Sequence, residues 1–129
     1  MSKISSKRIL LVDDEESILL LFQTIFDIYG YDAHFLTSSE NVVARAIAIE
    51  PDLIILDVAM PDKDGYEVCK ELRQNEFCRK IPIIMITALS LNQDKKRGFE
   101  CGANAFIFKP FDALFMINEI KRLTELESR

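Results

Sequence analysis

Five short apolar runs recur along the chain, and each is followed by a polar loop and a stretch of helical periodicity. That alternation restricts the fold more than any other feature of the sequence. The runs are Arg8 to Val12, Ala33 to Leu36, Leu53 to Asp57, Ile83 to Thr87 and Ala105 to Phe108. In the third, Leu53, Ile54, Ile55 and Leu56 follow one another without a polar break, as in a strand buried on both faces. Strands alternating with helices through short connections predict a parallel sheet covered on both sides. The whole chain, 1–129, is therefore read as one α/β domain: a single doubly wound five-stranded parallel sheet with five helices.

The intervening helices carry their own signals. The first is expected to run to about Tyr29 and stop at Gly30, with Ile18, Leu21, Phe22 and Ile25 as its inward stripe. Ile18 to Phe22 is unbroken apolar, however, and at about 100° per residue five residues wrap the whole helix. Leu19 and Leu20 are therefore expected to point away from the core. Ser38 or Ser39 is expected to cap the second helix, with Val43, Ala46 and Ile47 inward and Pro51 ending it. The third spans Gly65 to Asn75 with Val68 and Leu72 inward. The fourth, Ser90 to Glu100, is polar and contains Gly98, a residue that costs about 1 kcal/mol relative to alanine in a helix interior. The last begins near Asp112, with Leu114, Ile117 and Ile120 as its stripe.

Composition narrows the function classes. The net charge is −5, from 16 basic and 21 acidic residues, which argues against this domain gripping nucleic acid by itself. No apolar stretch approaches a membrane span, and Ile9 to Val12 is too short for a signal peptide. Cys69, Cys78 and Cys101 are widely spaced and include no Cys-x-x-Cys pair, which favours reduced structural thiols in a cytoplasm over a zinc site. The single histidine, His34, lacks clustered partners and is given no role.

In an open parallel α/β sheet, ligands sit at the carboxyl ends of the strands. Strand one delivers Asp13 and Asp14 to that edge, strand three Asp57, strand four Thr87 and strand five Lys109. Glu15 and Glu16 need no role beyond favouring a helix amino end. Neighbouring carboxylates repel by roughly 4 kcal/mol at 4 Å and an effective dielectric of 20. Such a cluster is favourable when a divalent cation occupies it, and a few hard oxygen ligands suit Mg²⁺. Lys109 and Thr87 would offer a phosphoryl group positive charge and a hydrogen-bond donor, with Asp57 as the nucleophile that forms an acyl phosphate.

The pattern resembles the receiver domain of two-component response regulators, the CheY-like family. The matching pieces are Val12-Asp13-Asp14, then Asp57 followed by Met60-Pro61 and Gly65, then Thr87-Ala88, Gly102-Ala103 and Phe106-Ile107-Phe108-Lys109-Pro110-Phe111. Each piece alone is weak; together, in order and across nearly the whole chain, they are highly specific. The resemblance implies strand order 2-1-3-4-5. It implies that Asp57 accepts phosphate from a sensor histidine kinase or a histidine phosphotransfer domain and that the domain then signals to a downstream protein target. It implies that Asp14 binds Mg²⁺ directly and Asp13 mostly through water, with the Ala59 carbonyl as a further ligand. Lys109, Thr87 and the Ala88 amide would contact the phosphoryl oxygens, and the Lys109–Pro110 bond would be cis. Phe106 occupies the family's aromatic switch position, and Ala59 and Leu89 occupy the positions that influence hydrolysis. Leu19 and Leu20 lie where many relatives are polar, which makes them candidates for a partner-facing patch.

The implied function is a phosphorylation-activated switch that catalyses only its own phosphorylation and dephosphorylation, either alone or as part of a larger regulator or hybrid histidine kinase. Three rivals fare worse. A phosphatase of the haloacid dehalogenase type needs a second Asp two residues after the nucleophile, where this chain has Ala59. A nucleotide or flavin binder needs a phosphate-cradling loop after strand one, yet Asp13 to Ser17 is acidic and lacks glycine. A degenerate scaffold would not be expected to keep the full acidic and lysine set.

Overall fold

The computed structural model describes residues 7–60, 62–88 and 92–127. Pro61 of the Met60-Pro61 motif, Leu89, and the expected start of the fourth helix at Ser90 lie outside the described residues. The elements alternate as β1 (Arg8–Val12), α1 (Glu16–Tyr29), β2 (Asp32–Leu36), α2 (Val42–Ile49), β3 (Leu53–Asp57), α3 (Gly65–Gln74), β4 (Ile83–Thr87), α4 (Asn92–Glu100), β5 (Ala105–Phe108) and α5 (Ala113–Glu127). All paired strands are parallel, in the order β2-β1-β3-β4-β5.

The central strands are buried because both of their faces are covered. Leu10, Val12, Ile54, Leu56 and Met85 pack beneath α2 and α3, whereas Ile9, Leu11, Ile55 and Ile84 pack beneath α1 and α5. Each fully buried leucine or isoleucine contributes roughly 2 kcal/mol through removal of apolar surface from water. β2 and β5 are the edges. Along β5, Phe106 joins the α2/α3 side, and Ala105 and Ile107 join the α1/α5 side, as alternation along a strand requires.

The helices depart from the sequence reading in rotation more than in position. α1 ends as expected at Gly30, whose φ of 77° closes the last turn with its N–H on the Phe26 carbonyl. Its buried residues are Phe22, Ile25 and Phe26, while Leu21 is exposed and Leu19 leans against the core. The inward assignment of Leu21 and the outward one of Leu19 are thus both corrected. Phe22 stacks on Phe111 at 5.1 Å, and Phe26 meets Tyr31 edge-on at 5.8 Å. These large rings set the helix rotation, and the isobutyl side chains follow. In α2, Val42 and Ala46 are buried and Ile47 is exposed, because the helix starts only after Asn41, in the left-handed region at φ 66°. Neither Ser38 nor Ser39 caps it. In α5 the buried stripe is Met116, Ile117, Ile120 and Leu123, and Leu114 is exposed.

Gly98 has a reason that the sequence did not disclose. A Cβ at this position would lie 2.6 Å from the Phe106 ring and 3.1 Å from the Met85 sulfur. α4 therefore rests directly on β4 and β5, and glycine is what allows the approach.

Candidate functional site

The carboxyl ends of β1 and β3 are neighbours, with Val12 opposite Leu56, so the residues that follow them share one pocket. Carboxylate oxygens of Asp13, Asp14 and Asp57 lie within 4.8 Å of one another. Asp13 is 0% exposed and Asp57 4%, while Asp14 faces solvent. Local backbone bonds aim these side chains: Asp13 Oδ1 accepts from the Glu15 N–H at 2.9 Å, and Asp57 Oδ1 accepts from the Ala59 N–H at 3.2 Å. α3 begins against the same point. A Cβ on Gly65 would lie 2.6 Å from the Asp57 carbonyl oxygen, so only glycine permits that start. The Asp64 side chain caps α3 through the Glu67 N–H at 2.9 Å.

Lys109 reaches this pocket from the far edge of the sheet, at the end of β5. Its backbone N–H donates to the Thr87 carbonyl at 2.8 Å, and the Lys109–Pro110 bond is cis. The ammonium sits 3.1 Å from Asp13 Oδ2, 3.6 Å from Asp57 Oδ2 and 2.9 Å from Glu15 Oε1. Burial disfavours its charge, but Glu15, Asp57 and Asp13 together outweigh that and hold its pKa above the ordinary lysine value. Asp57 is raised as well, which for a carboxylate disfavours the charged form: burial first, then the charge of Asp13, lift it from 3.8 to about 6 against the lowering effect of Lys109. Thr87 closes β4, fully buried, and Ala88 is exposed beside it.

The donor set fits a small hard cation. Asp13 Oδ2 is buried and, despite the ammonium at 3.1 Å, has no hydrogen-bonding partner of acceptable geometry. A buried carboxylate oxygen in that condition is costly unless another positive group meets it. With Asp14 and Asp57 it forms an all-oxygen set of the kind that Mg²⁺ accepts while keeping waters of its own.

Of the residues anticipated from sequence, Asp13, Asp14, Asp57 and Lys109 are brought together, and Ala59, Thr87 and Ala88 lie on the same edge. Leu19, Leu20 and Phe106 lie outside the pocket. Leu20, 61% exposed, is the one of the two leucines that faces solvent. Phe106 is 8% exposed and turned inward, 5.4 Å from the Phe108 ring. Sequence reasoning missed Glu15, whose ion pair with Lys109 joins positions 94 apart in the chain, beyond the reach of any local pattern. It also misassigned Ser38 and Ser39. Ser39 Oγ accepts from the Lys63 N–H at 2.7 Å, and Ser38 Oγ donates to Asp62 at 2.8 Å, so the pair binds the β3–α3 loop. Cys69, Cys78 and Cys101 are free thiols, and burial pushes Cys69 up to about 11, in keeping with structural roles.

The family model of the response regulator receiver domain matches residues 9–121. The DNA-binding dual master transcriptional regulator RpaA of Synechocystis is 38% identical over 122 residues, covering 95% of this chain and 51% of that protein. The alkaline phosphatase synthesis transcriptional regulatory protein PhoP of Bacillus subtilis is 45% identical over 106 residues, covering 82% and 43%. This chain thus spans about half the length of the curated relatives it matches. Among solved structures, the receiver domain of the sensor histidine kinase PA1611 from Pseudomonas aeruginosa superposes with a TM-score of 0.86 at 27% identity, covering 94% of this chain and 99% of that one. That domain has a magnesium ion coordinated in its active-site cleft.

Proposed function

The chain belongs to the response regulator receiver domain family, and from that premise we propose that it is a switch thrown by phosphorylation of Asp57. The observation that carries this reading is the convergence on a buried Asp57, at the end of β3, of Asp13 and Asp14 from β1 and Lys109 from β5. A carboxylate whose pKa is about 6 is mostly ionised at neutral pH, yet more basic than an ordinary aspartate. Its oxygen attacks the phosphorus of a phosphohistidine; the P–N bond breaks, and the imidazole nitrogen leaves with the electron pair. Lys109 turns from its carboxylate partners to the incoming phosphoryl oxygens. The Thr87 hydroxyl and the Ala88 N–H donate to the same oxygens. Asp13, Asp14, Asp57 and the Ala59 carbonyl would hold Mg²⁺, which supplies further positive charge against the transferred group.

On this reading the partners are a sensor histidine kinase or a histidine phosphotransfer domain as donor and a protein target as receiver of the signal. The only reaction catalysed is the domain's own phosphorylation and dephosphorylation, and the compartment is the cytoplasm. Among the described residues no helix is long and apolar enough to cross a membrane. In a longer parent regulator or hybrid kinase the target would be a neighbouring domain of the same chain. The inward Phe106 ring beneath α4 is one of the two positions such a switch needs. Drawing Thr87 toward a phosphoryl group changes the space beside β4 and so biases that ring and α4. Partners that favour one α4 position would gain affinity on phosphorylation.

The test is labelling by a phosphohistidine donor in Mg²⁺. The wild type should be labelled, Asp57→Asn should not, and labelling should be lost on chelation. Persistent Mg²⁺-dependent labelling of Asp57→Asn would sink the assignment.

A further inference from the structure

The two serines after β2 stand in the wrong place for a helix cap and the right place for a brace. α2 begins at Val42, and no side-chain cap bond is made at its amino end. Ser39 is nevertheless 1% exposed, and its Oγ accepts the Lys63 N–H at 2.7 Å. Ser38 Oγ lies 2.8 Å from Asp62 Oδ2 and itself accepts from the Glu40 N–H at 3.1 Å. Two consecutive residues of the β2–α2 loop thus hold two consecutive residues of the β3–α3 loop.

That second loop carries the chemistry. It leaves β3 at Asp57, passes Ala59 and Lys63, and enters α3 at Gly65. Within itself the loop is tied by the Ala59 N–H to Asp57, and its two ends are joined by the Gly65 N–H to the Val58 carbonyl at 2.8 Å. Between those ends, Lys63 is tied across the sheet edge by Ser39. Another bond ties the β2 end to the first acidic residue, since the Asp13 N–H donates to the Leu36 carbonyl at 3.0 Å. The chain of bonds therefore runs from Asp13 through the end of β2 and Ser39 to the loop that bears Ala59.

We infer that Ser39, supported by Ser38, is a positioning residue that sets the β3–α3 loop relative to Asp13 and Asp14, and so tunes the affinity of the acidic pocket for a divalent cation. The inference rests on the reading of Asp57 as the centre of a Mg²⁺-dependent site. The buried Ser39 oxygen accepts one loop amide, and an acceptor removed from a half-buried N–H leaves that N–H unsatisfied and frees the loop that it held. Partners outside the ligand shell that orient the ligands change metal affinity by about 10- to 100-fold when removed.

The experiment titrates the intact protein with MgCl₂ alone and follows the amides of Asp14, Asp57 and Ala59 by NMR, with thermal unfolding measured in parallel. Labelling by a small acyl phosphate serves as a separate control. Ser39→Ala should weaken Mg²⁺ binding about tenfold and shrink the Mg²⁺-induced rise in Tm, with a smaller change in Tm without metal. Ser39→Thr, which keeps the oxygen, should bind nearly as the wild type does. Ser38→Ala, a change at the exposed half of the brace, should weaken binding by about two- to threefold, a lesser loss because Ser39 still holds the loop. Ser39→Ala with unchanged Mg²⁺ affinity and a uniformly lower Tm would make the serine merely structural and overturn the inference. If Ser39→Ala does not fold, unchanged affinity in Ser38→Ala overturns it equally. A wild type that binds no Mg²⁺ and takes no label would instead overturn the reading of the site itself.

Discussion

The acidic pocket and the α4–β5 edge share one sheet, but they are held in place by opposite means. At the pocket, Asp13, Asp57 and Glu15 surround one ammonium, and burial, with the charge of Asp13 added, raises Asp57 to about 6 despite that ammonium. At the edge the decisive contact is apolar packing. Gly98 lies on the Phe106 ring at a distance that leaves no room for a methyl group. Coulombic imbalance changes steeply when a charge arrives, and close packing changes only when whole elements move. A phosphoryl group can therefore act on the first region directly and on the second only by displacing α4 or the ring, which suits an input site coupled to a two-position output.

The largest effect expected from breaking this comparison is at Lys109. Lys109→Ala leaves the buried carboxylates without their cation and should destabilise the metal-free protein by about 3 kcal/mol, as loss of one partner of a buried pair does. Urea unfolding with and without Mg²⁺ checks it: the loss should be smaller with metal present. An equal loss in both conditions would mean that Lys109 contributes packing alone.

Asp57→Asn should act in the opposite direction, on the order of 2 kcal/mol more stable than wild type at pH 7 without metal. The folded pKa of Asp57 is raised from 3.8 to about 6. Its contribution to stability is therefore fully present below the unfolded value and lost as pH rises through the folded one. The difference between mutant and wild type should grow from near zero at pH 4 to its full value by pH 7. A difference that does not vary with pH would show that the electrostatic account of the pocket is wrong.

At the other region, Gly98→Ala should cost about 1–2 kcal/mol, since overpacking at the Phe106 ring outweighs the helix preference for alanine of about 1 kcal/mol. Its effect should not depend on pH or Mg²⁺. A gain in stability would mean that α4 lifts freely from β5, and the contrast between the two regions would dissolve.

The smallest effect on stability is expected at Leu20, on the solvent face of α1. Leu20→Ser should change unfolding by less than about 0.5 kcal/mol. It should nonetheless slow transfer from a phosphohistidine protein severalfold while sparing labelling by a small acyl phosphate. Equal slowing with both donors would place the fault in the pocket and not at a docking face. Leu19, leaning on the core, is the poorer place for this test.

Five apolar runs, their spacing and the acidic or basic residues closing them were enough to anticipate the sheet, its helices and the convergence of Asp13, Asp14, Asp57 and Lys109, because a parallel α/β sheet brings strand ends to one edge. Burial on both faces makes β1, β3 and β4 visible as nearly unbroken apolar runs, and the half-buried edge strand β2 was still located within a residue. Rotation of the helices was not legible to the same degree. An apolar run such as Ile18 to Phe22 fits several phases, and the choice fell to the rings of Phe22, Phe26, Tyr31 and Phe111 packing against one another. Gly98 read as a weakness until its neighbour across space was known. Glu15 read as a helix-end charge and Ser39 as a cap, because local rules describe what a residue can do with the few positions beside it. Their actual partners, Lys109 and Lys63, lie 94 and 24 residues away, and only the folded chain brings them within hydrogen-bonding distance.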